Sequence, residues 1–122
     1  MIFVIIGSPR TKKNSQRIFR NKRTGRIRIV PSKSASDWSV KAVEQLRQQN
    51  ADVLELARPL NCKALIYRDA LRGDAVNYYQ AIADALQESG AVIDDKWITQ
   101  WDGSRILVDR IVPRVEITLS FV

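Results

Sequence analysis

The sequence contains no histidine and only one cysteine, Cys62. A single cysteine allows no intrachain disulfide, and without histidine it has no partner for a cysteine-based zinc site. Catalytic triads and dyads that use histidine as the base are excluded as well. Long apolar runs are also missing, since segments such as Ile2 to Ile6 fall far short of the ~20 residues a membrane-spanning helix requires. The N-terminus, MIFVIIGSPR, lacks the basic start and small-residue cleavage site of a signal peptide, so a cytoplasmic protein with no membrane contact is expected. Glycine and proline are sparse, at five and four residues, in a chain that is 45% hydrophobic and 27% charged, which is the composition of an ordinary globular core. At 122 residues one domain, 1–122, is expected. The side chains left for chemistry are carboxylates, lysines and hydroxyls. They favour an oxygen-ligated Mg2+ or Mn2+ and point to no organic cofactor.

Acidic residues are absent from one further place. Between Arg10 and Lys33 there are ten Lys or Arg and no Asp or Glu, whereas the other 98 residues carry ten basic and thirteen acidic groups, a net charge of −3. A basic module is thus attached to a mildly acidic body. Like charges at this density repel one another, and a polyanion relieves that cost while releasing its own counterions. Nucleic acid is the leading partner by this argument, with a solvated surface hairpin as the plain alternative. The basic stretch alternates with Ile18, Phe19, Ile27, Ile29 and Val30 at strand spacing, which disfavours an interfacial helix on a membrane.

The apolar patterning predicts the order strand, hairpin, helix, strand, helix, strand, strand. Ile2 to Ile6 reads as a buried strand ending at Gly7 and Pro9. Gln16 to Arg20 and Arg26 to Val30 read as a hairpin around Asn21 to Gly25. Ser34 or Ser36 is expected to cap a helix through Asn50, with Trp38, Ala42, Val43 and Leu46 on its apolar face. Leu60 to Arg68 reads as a core strand. Asp74 is expected to open a second helix that stops at Gly90. Ile98 to Asp102 and Arg114 to Val122 read as the last two strands. The expected fold class is α/β in the α+β sense: a small mixed sheet, a basic N-terminal hairpin, and two main helices packed on the sheet.

Carboxylates gather late in the chain, where Asp74, Asp84, Asp94, Asp95 and Asp102 fall within 29 residues. Asp74, at a helix start, reads by itself as a simple cap more often than as a ligand. The adjacent pair Asp94-Asp95 repels itself unless water or a cation screens it, so it reads either as an exposed acidic turn or as part of a metal site. On the second helix, Asn77, Gln80 and Asp84 share one side, opposite Tyr78, Tyr79, Ile82, Ala83 and Leu86. Asp102, before Gly103, is either a further ligand or a turn residue.

The run Gly73 to Leu86 (GDAVNYYQAIADAL), followed by Gly90 and Ile93-Asp94-Asp95, resembles the signature of RusA-type Holliday junction resolvases. So does the loop Gly7-Ser8-Pro9 with Lys12-Lys13-Asn14 after the first strand. The resemblance implies a small homodimeric α/β endonuclease, often encoded by phage or prophage, that binds four-way DNA junctions and cleaves them with Mg2+ or Mn2+. Carried over residue by residue, it makes Asp74, Asp94 and Asp95 the metal and catalytic residues. Arg10, Lys12, Lys13, Asn14, Arg17, Asn77 and Gln80 become the candidates for DNA binding. Two positions depart from the pattern, because Val76 stands where the family has a second Asp and Gln80 where it has a helical Lys. A branched-DNA-binding protein with impaired catalysis is the alternative those departures raise. An RNA-binding module would explain the basic hairpin but not Asp94-Asp95.

Overall fold

The computed structural model describes residues 1–9, 16–20, 23–24, 27–31, 33–49, 57–70 and 75–122, with backbone alone for 16–20, 27–31 and 33–36. Its elements, in chain order, are β1 (Ile2–Ile6), β2 (Gln16–Arg20), β3 (Ile27–Pro31), α1 (Lys33–Gln49), β4 (Leu60–Arg68), α2 (Ala75–Ser89), a 3-10 turn (Asp95–Trp97), β5 (Ile98–Gln100), β6 (Arg105–Val108) and β7 (Arg114–Phe121). This is the expected α+β class: a mixed five-stranded sheet with two helices, and a separate antiparallel hairpin of β2 and β3.

The sheet is built outward from β4, in which Leu60, Cys62, Ala64 and Ile66 are buried at alternate positions. That period of two sends one face of the strand toward the helices. On one edge β4 pairs antiparallel with β7, whose Val115, Ile117 and Leu119 are buried in the same way, and β7 pairs in turn with β1. Against this face lie Trp38, Ala42, Val43 and Leu46 of α1 and Tyr78, Ile82, Ala85 and Leu86 of α2, the apolar stripes that helical spacing predicts. Cys62 sits within this core, where burial pushes its thiol up to about 12 and leaves it un-ionised at neutral pH.

The other edge of β4 is completed in three pieces. β5 pairs in parallel with its beginning and β6 in parallel with its end. Between them, Ser104 substitutes for a strand, because its Oγ accepts the Ala64 N–H at 2.8 Å and donates to the Cys62 carbonyl at 3.0 Å. The Asn61 side chain does the same for the Asp102 backbone, at 2.9 and 3.3 Å. A Ser104→Ala substitution removes both Oγ bonds at once. It should cost about 1–3 kcal/mol, read as a lower urea midpoint at unchanged slope.

The free edge of β1 is sealed by α1. Gln45 accepts from the Ile6 N–H at 2.8 Å and donates to its carbonyl at 3.1 Å, and Gln49 does the same at Val4, at 2.8 and 2.7 Å. Two side-chain amides thus occupy the backbone groups through which a second sheet edge would pair.

Several sequence-based expectations shift, and the strand expected over Ile98 to Asp102 ends at Gln100, where the Asp102 turn begins. Helix α1 begins at Lys33, so Ser34 and Ser36 lie within its first turn and do not cap it. The second hairpin strand runs Ile27–Pro31, one residue later than expected. Strand β6 was not expected from the sequence. It is four residues long, with no alternation, and becomes a strand because β4 offers it an open edge.

Candidate active site

The acidic turn after α2 is set by how that helix ends. Gly90, at φ +84°, takes a conformation that other residues reach only at a cost, and its N–H bonds back to the Gln87 carbonyl at 3.1 Å. Ser89 Oγ donates to the Leu86 carbonyl at 3.0 Å and accepts from the Ala91 N–H at 3.3 Å, which fixes the reversal. Ala91 and Val92 then drop into the core. Anchored in this way, Asp94 and Asp95 are held against the flank of α2.

The two carboxylates play different parts. Asp94 caps the 3-10 turn, its Oδ1 accepting the Lys96 N–H at 3.0 Å. Asp95 is fixed through its backbone, its N–H donating to Gln87 Oε1 at 2.9 Å, and among the described residues its carboxylate caps no turn. It is also the residue shared by two neighbouring hollows. One, of about 580 Å3, is lined by Asp84, Gln87, Glu88, Asp94 and Asp95. The other, of about 310 Å3, is lined by Val76, Tyr79, Gln80, Ala83, Asp95, Ile98 and Trp101. Within it the rings of Tyr79 and Trp101 stack in parallel, with centroids 4.7 Å apart and planes 9° apart.

The departures from the resolvase pattern sit at this site. Val76 is 74% exposed on the first turn of α2 and faces the cleft, not the core. Gln80 donates from Nε2 to Asp84 Oδ1 at 2.9 Å, so the amide engages the neighbouring carboxylate one helical turn on. Asn77, half-buried, lines neither hollow. Asp102 lines neither as well, and its backbone bonds to Asn61 make it a turn residue. Asp74, Arg10, Lys12, Lys13 and Asn14, and the side chain of Arg17, lie outside the described residues.

Several contributors carry no sequence signature of their own. Gln87 and Glu88 continue the polar stripe of Gln80 and Asp84 down α2, and extending that helical spacing by one turn would have found them. Arg68 is the buried charge at the end of β4. Its Nη1 donates to the Pro9 carbonyl, its Nη2 lies 3.7 Å from Asp69 Oδ1, and its guanidinium stands 5.3 Å from the Tyr78 ring. It ties the loop after β1 to the end of β4 and the start of α2. The residue Asp109 holds its carboxyl below the usual range because it accepts the Val112 N–H, the Arg114 guanidinium and the Ile111 N–H. That perturbation belongs to a structural turn before β7 and not to the acidic site.

This arrangement of an acidic turn against the flank of a helix that begins just after Asp74 is accompanied by a match over residues 7–120 to the family described as Endodeoxyribonuclease RusA. The chain belongs to the RusA family. No individual curated protein matches it. RusA proteins are endodeoxyribonucleases that resolve Holliday junctions, and the match covers nearly the whole chain, from the loop after β1 to the end of β7. No helix among the described residues is long and apolar enough to cross a membrane.

A divalent cation is the group a RusA nuclease implies. Among the described residues no three carboxylates converge into a ready cluster. The donors that do gather, Asp84, Glu88, Asp94 and Asp95, are all hard oxygens, which suits Mg2+ or Mn2+ and not a thiolate- or imidazole-seeking metal. The donor type suits such an ion, but among the described residues these carboxylates do not close into a site that would hold one.

Proposed function

We propose that this RusA-family chain is one endonuclease domain over residues 1–122 that acts as a cytoplasmic homodimer. In this reading it cleaves four-way DNA junctions by phosphodiester hydrolysis dependent on Mg2+ or Mn2+. The observation that carries it is Asp95, a carboxylate common to the acidic hollow and the aromatic cleft, on an anchored turn beside α2. Asp95 and Asp74 are assigned as metal ligands and Asp94 as a third, through the oxygen its capping role leaves over. The bound ion supplies a polarised phosphate and a more acidic water. The protein's own part is to hold these carboxylates rigidly and to bring the phosphate to them. Asn77 and Gln80 are assigned to orienting water or phosphate. Incubating the purified protein with a synthetic four-way junction, with and without each metal, tests the reading, and paired symmetric incisions that need metal are the expected result.

A second reading has a specific observation behind it. Gln80 is bonded to Asp84 where the family has a Lys, and Val76 leaves the helix without its second carboxylate, so a junction-binding protein with impaired catalysis remains the alternative. Metal-dependent nicking of branched DNA removes it.

The basic segment is proposed to hold the DNA, through Arg10, Lys12, Lys13, Asn14 and Arg17. Each phosphate neutralised steepens the dependence of log affinity on log salt by about 0.9. Replacing Lys12, Lys13 and Arg17 together by Ala should therefore flatten that slope by about 2 to 3. An unchanged slope would show the segment to be only a solvated face.

A junction with two-fold symmetry needs two incisions, which argues for two copies arranged symmetrically. Light scattering at micromolar concentration should report about 28 kDa, twice the 13.9 kDa chain. A strict monomer would count against junction resolution. Tyr78, which the sequence suggests as a dimer contact alongside Trp97, is buried beside Arg68 and supplies none.

A further inference from the structure

We propose that the aromatic cleft beside Asp95 is a nucleobase pocket, which takes up one unstacked base of the DNA at the crossing of the junction. The inference rests on the junction-cleaving function proposed above. It adds to that function a specificity-determining role for Tyr79, Trp101 and Gln80.

The cleft has two kinds of wall. Ile98, Ala83, Val76 and the stacked rings of Tyr79 and Trp101 form an apolar wall, and Gln80 with Asp95 forms a polar one. Tyr79 and Trp101 pack against the edge of the core but stay partly exposed, so some ring surface is left at the cleft while the rest of the α2 stripe is covered. A parallel ring pair of this kind is a platform on which a further flat ring can continue the stack, and every base has a face to offer it.

Proximity supplies the second part of the argument. Asp95 belongs to both hollows, so the two adjoin, and a nucleotide whose phosphate is brought to the acidic one by a bound cation has the cleft beside it for its base. Gln80 gives one N–H of Nε2 to Asp84, which leaves its amide oxygen and a second N–H to meet the polar edge of a base. Unstacking a base is least costly where stacking is already interrupted, as it is next to the crossing of a four-way junction.

The test couples one side chain to one base. Four-way junctions carrying an abasic deoxyribose at each position around the crossing are titrated in Ca2+, a cation for carboxylate oxygens used here in place of Mg2+ or Mn2+, with the full-length protein and with Trp101→Ala, Trp101→Phe and Tyr79→Leu. On the intact junction Trp101→Ala should bind about tenfold more weakly, in line with the stacking of one base. Trp101→Phe should retain most of the affinity. At one crossing position, removing the base from the DNA should weaken wild-type binding by a similar factor and leave Trp101→Ala no weaker than before.

A second readout needs no variant. A junction with 5-iododeoxyuridine at that position should cross-link under long-wavelength light to the wild-type peptide carrying Trp101 or Tyr79. Independent losses at every position, or cross-links confined to other peptides, would overturn the pocket. If the wild-type protein in the same titrations fails to prefer the intact junction over a linear duplex, the resolvase reading falls and the pocket with it. Preference retained with uncoupled losses removes the pocket alone.

Discussion

Replacing Asp95 by Asn should lower junction cleavage by more than about 100-fold while leaving junction binding unchanged or tighter. Loss of a group that merely supports a metal ligand costs 10–100-fold, so loss of a ligand itself should cost more. Binding is spared because the change removes a negative charge from beside the DNA phosphates. The structure also ranks the two neighbours. Among the described residues Asp95 caps no turn, and it reaches both hollows, whereas Asp94 already spends Oδ1 on the Lys96 N–H. Asp94→Asn keeps that cap, since Asn caps as well as Asp, and should be the milder change. Gel assays of cleavage and anisotropy titrations of binding, run on the same preparations, separate the two effects. Equal activity in Asp95→Asn and wild type would falsify the assignment of the acidic turn as the active site. Asp74→Asn should behave as Asp95→Asn does.

Restoring the family's second carboxylate with Val76→Asp should lower the metal concentration for half-maximal cleavage by about tenfold, because cation affinity in oxygen sites rises with ligand charge count. From the sequence alone this outcome hinged on where position 76 points. A buried Asp without a partner would cost several kcal/mol, and Val76 lies well round a regular helix from Asp74. The structure resolves the matter, since Val76 is 74% exposed and lines the same cleft as Asp95. The new carboxylate would stand in water on the first turn of α2, where the helix dipole favours an anion by about 0.3–1 kcal/mol. Metal titrations of cleavage rate for both proteins provide the check. If neither protein cleaves with Mg2+ or Mn2+, the chain is a junction-binding protein and not a nuclease.

The sequence by itself determined the parts of this protein that depend on local periodicity and composition. Apolar density in Leu60 to Arg68 and alternation in Arg114 to Val122 marked the two central strands, the second of which ends at Phe121, and the 3.6-residue spacing of Trp38, Ala42, Val43 and Leu46 marked the buried face of α1. A period of two or of 3.6 is imposed by the backbone whatever it packs against. Gly90 after an amphipathic run marked the end of α2, because few other residues accept its positive φ. The order of Asp74, Asn77, Gly90, Asp94 and Asp95 carried the family resemblance, which the match over residues 7–120 bears out.

Contacts between residues distant in sequence were decided only by the tertiary structure. Strand β6 exists because β4 has an edge to fill, and Ser104 bridges that edge with a hydroxyl that no sequence pattern singled out. Arg68, the last residue of the segment read as a core strand, is buried at the junction of the β1 loop with α2. Trp101 meets Tyr79, 22 positions earlier, only because β5 pairs beside the start of β4 and carries Trp101 up to the flank of α2. Sequence spacing does not encode such meetings, since they depend on where whole elements dock, and docking is set by burial summed over the entire core.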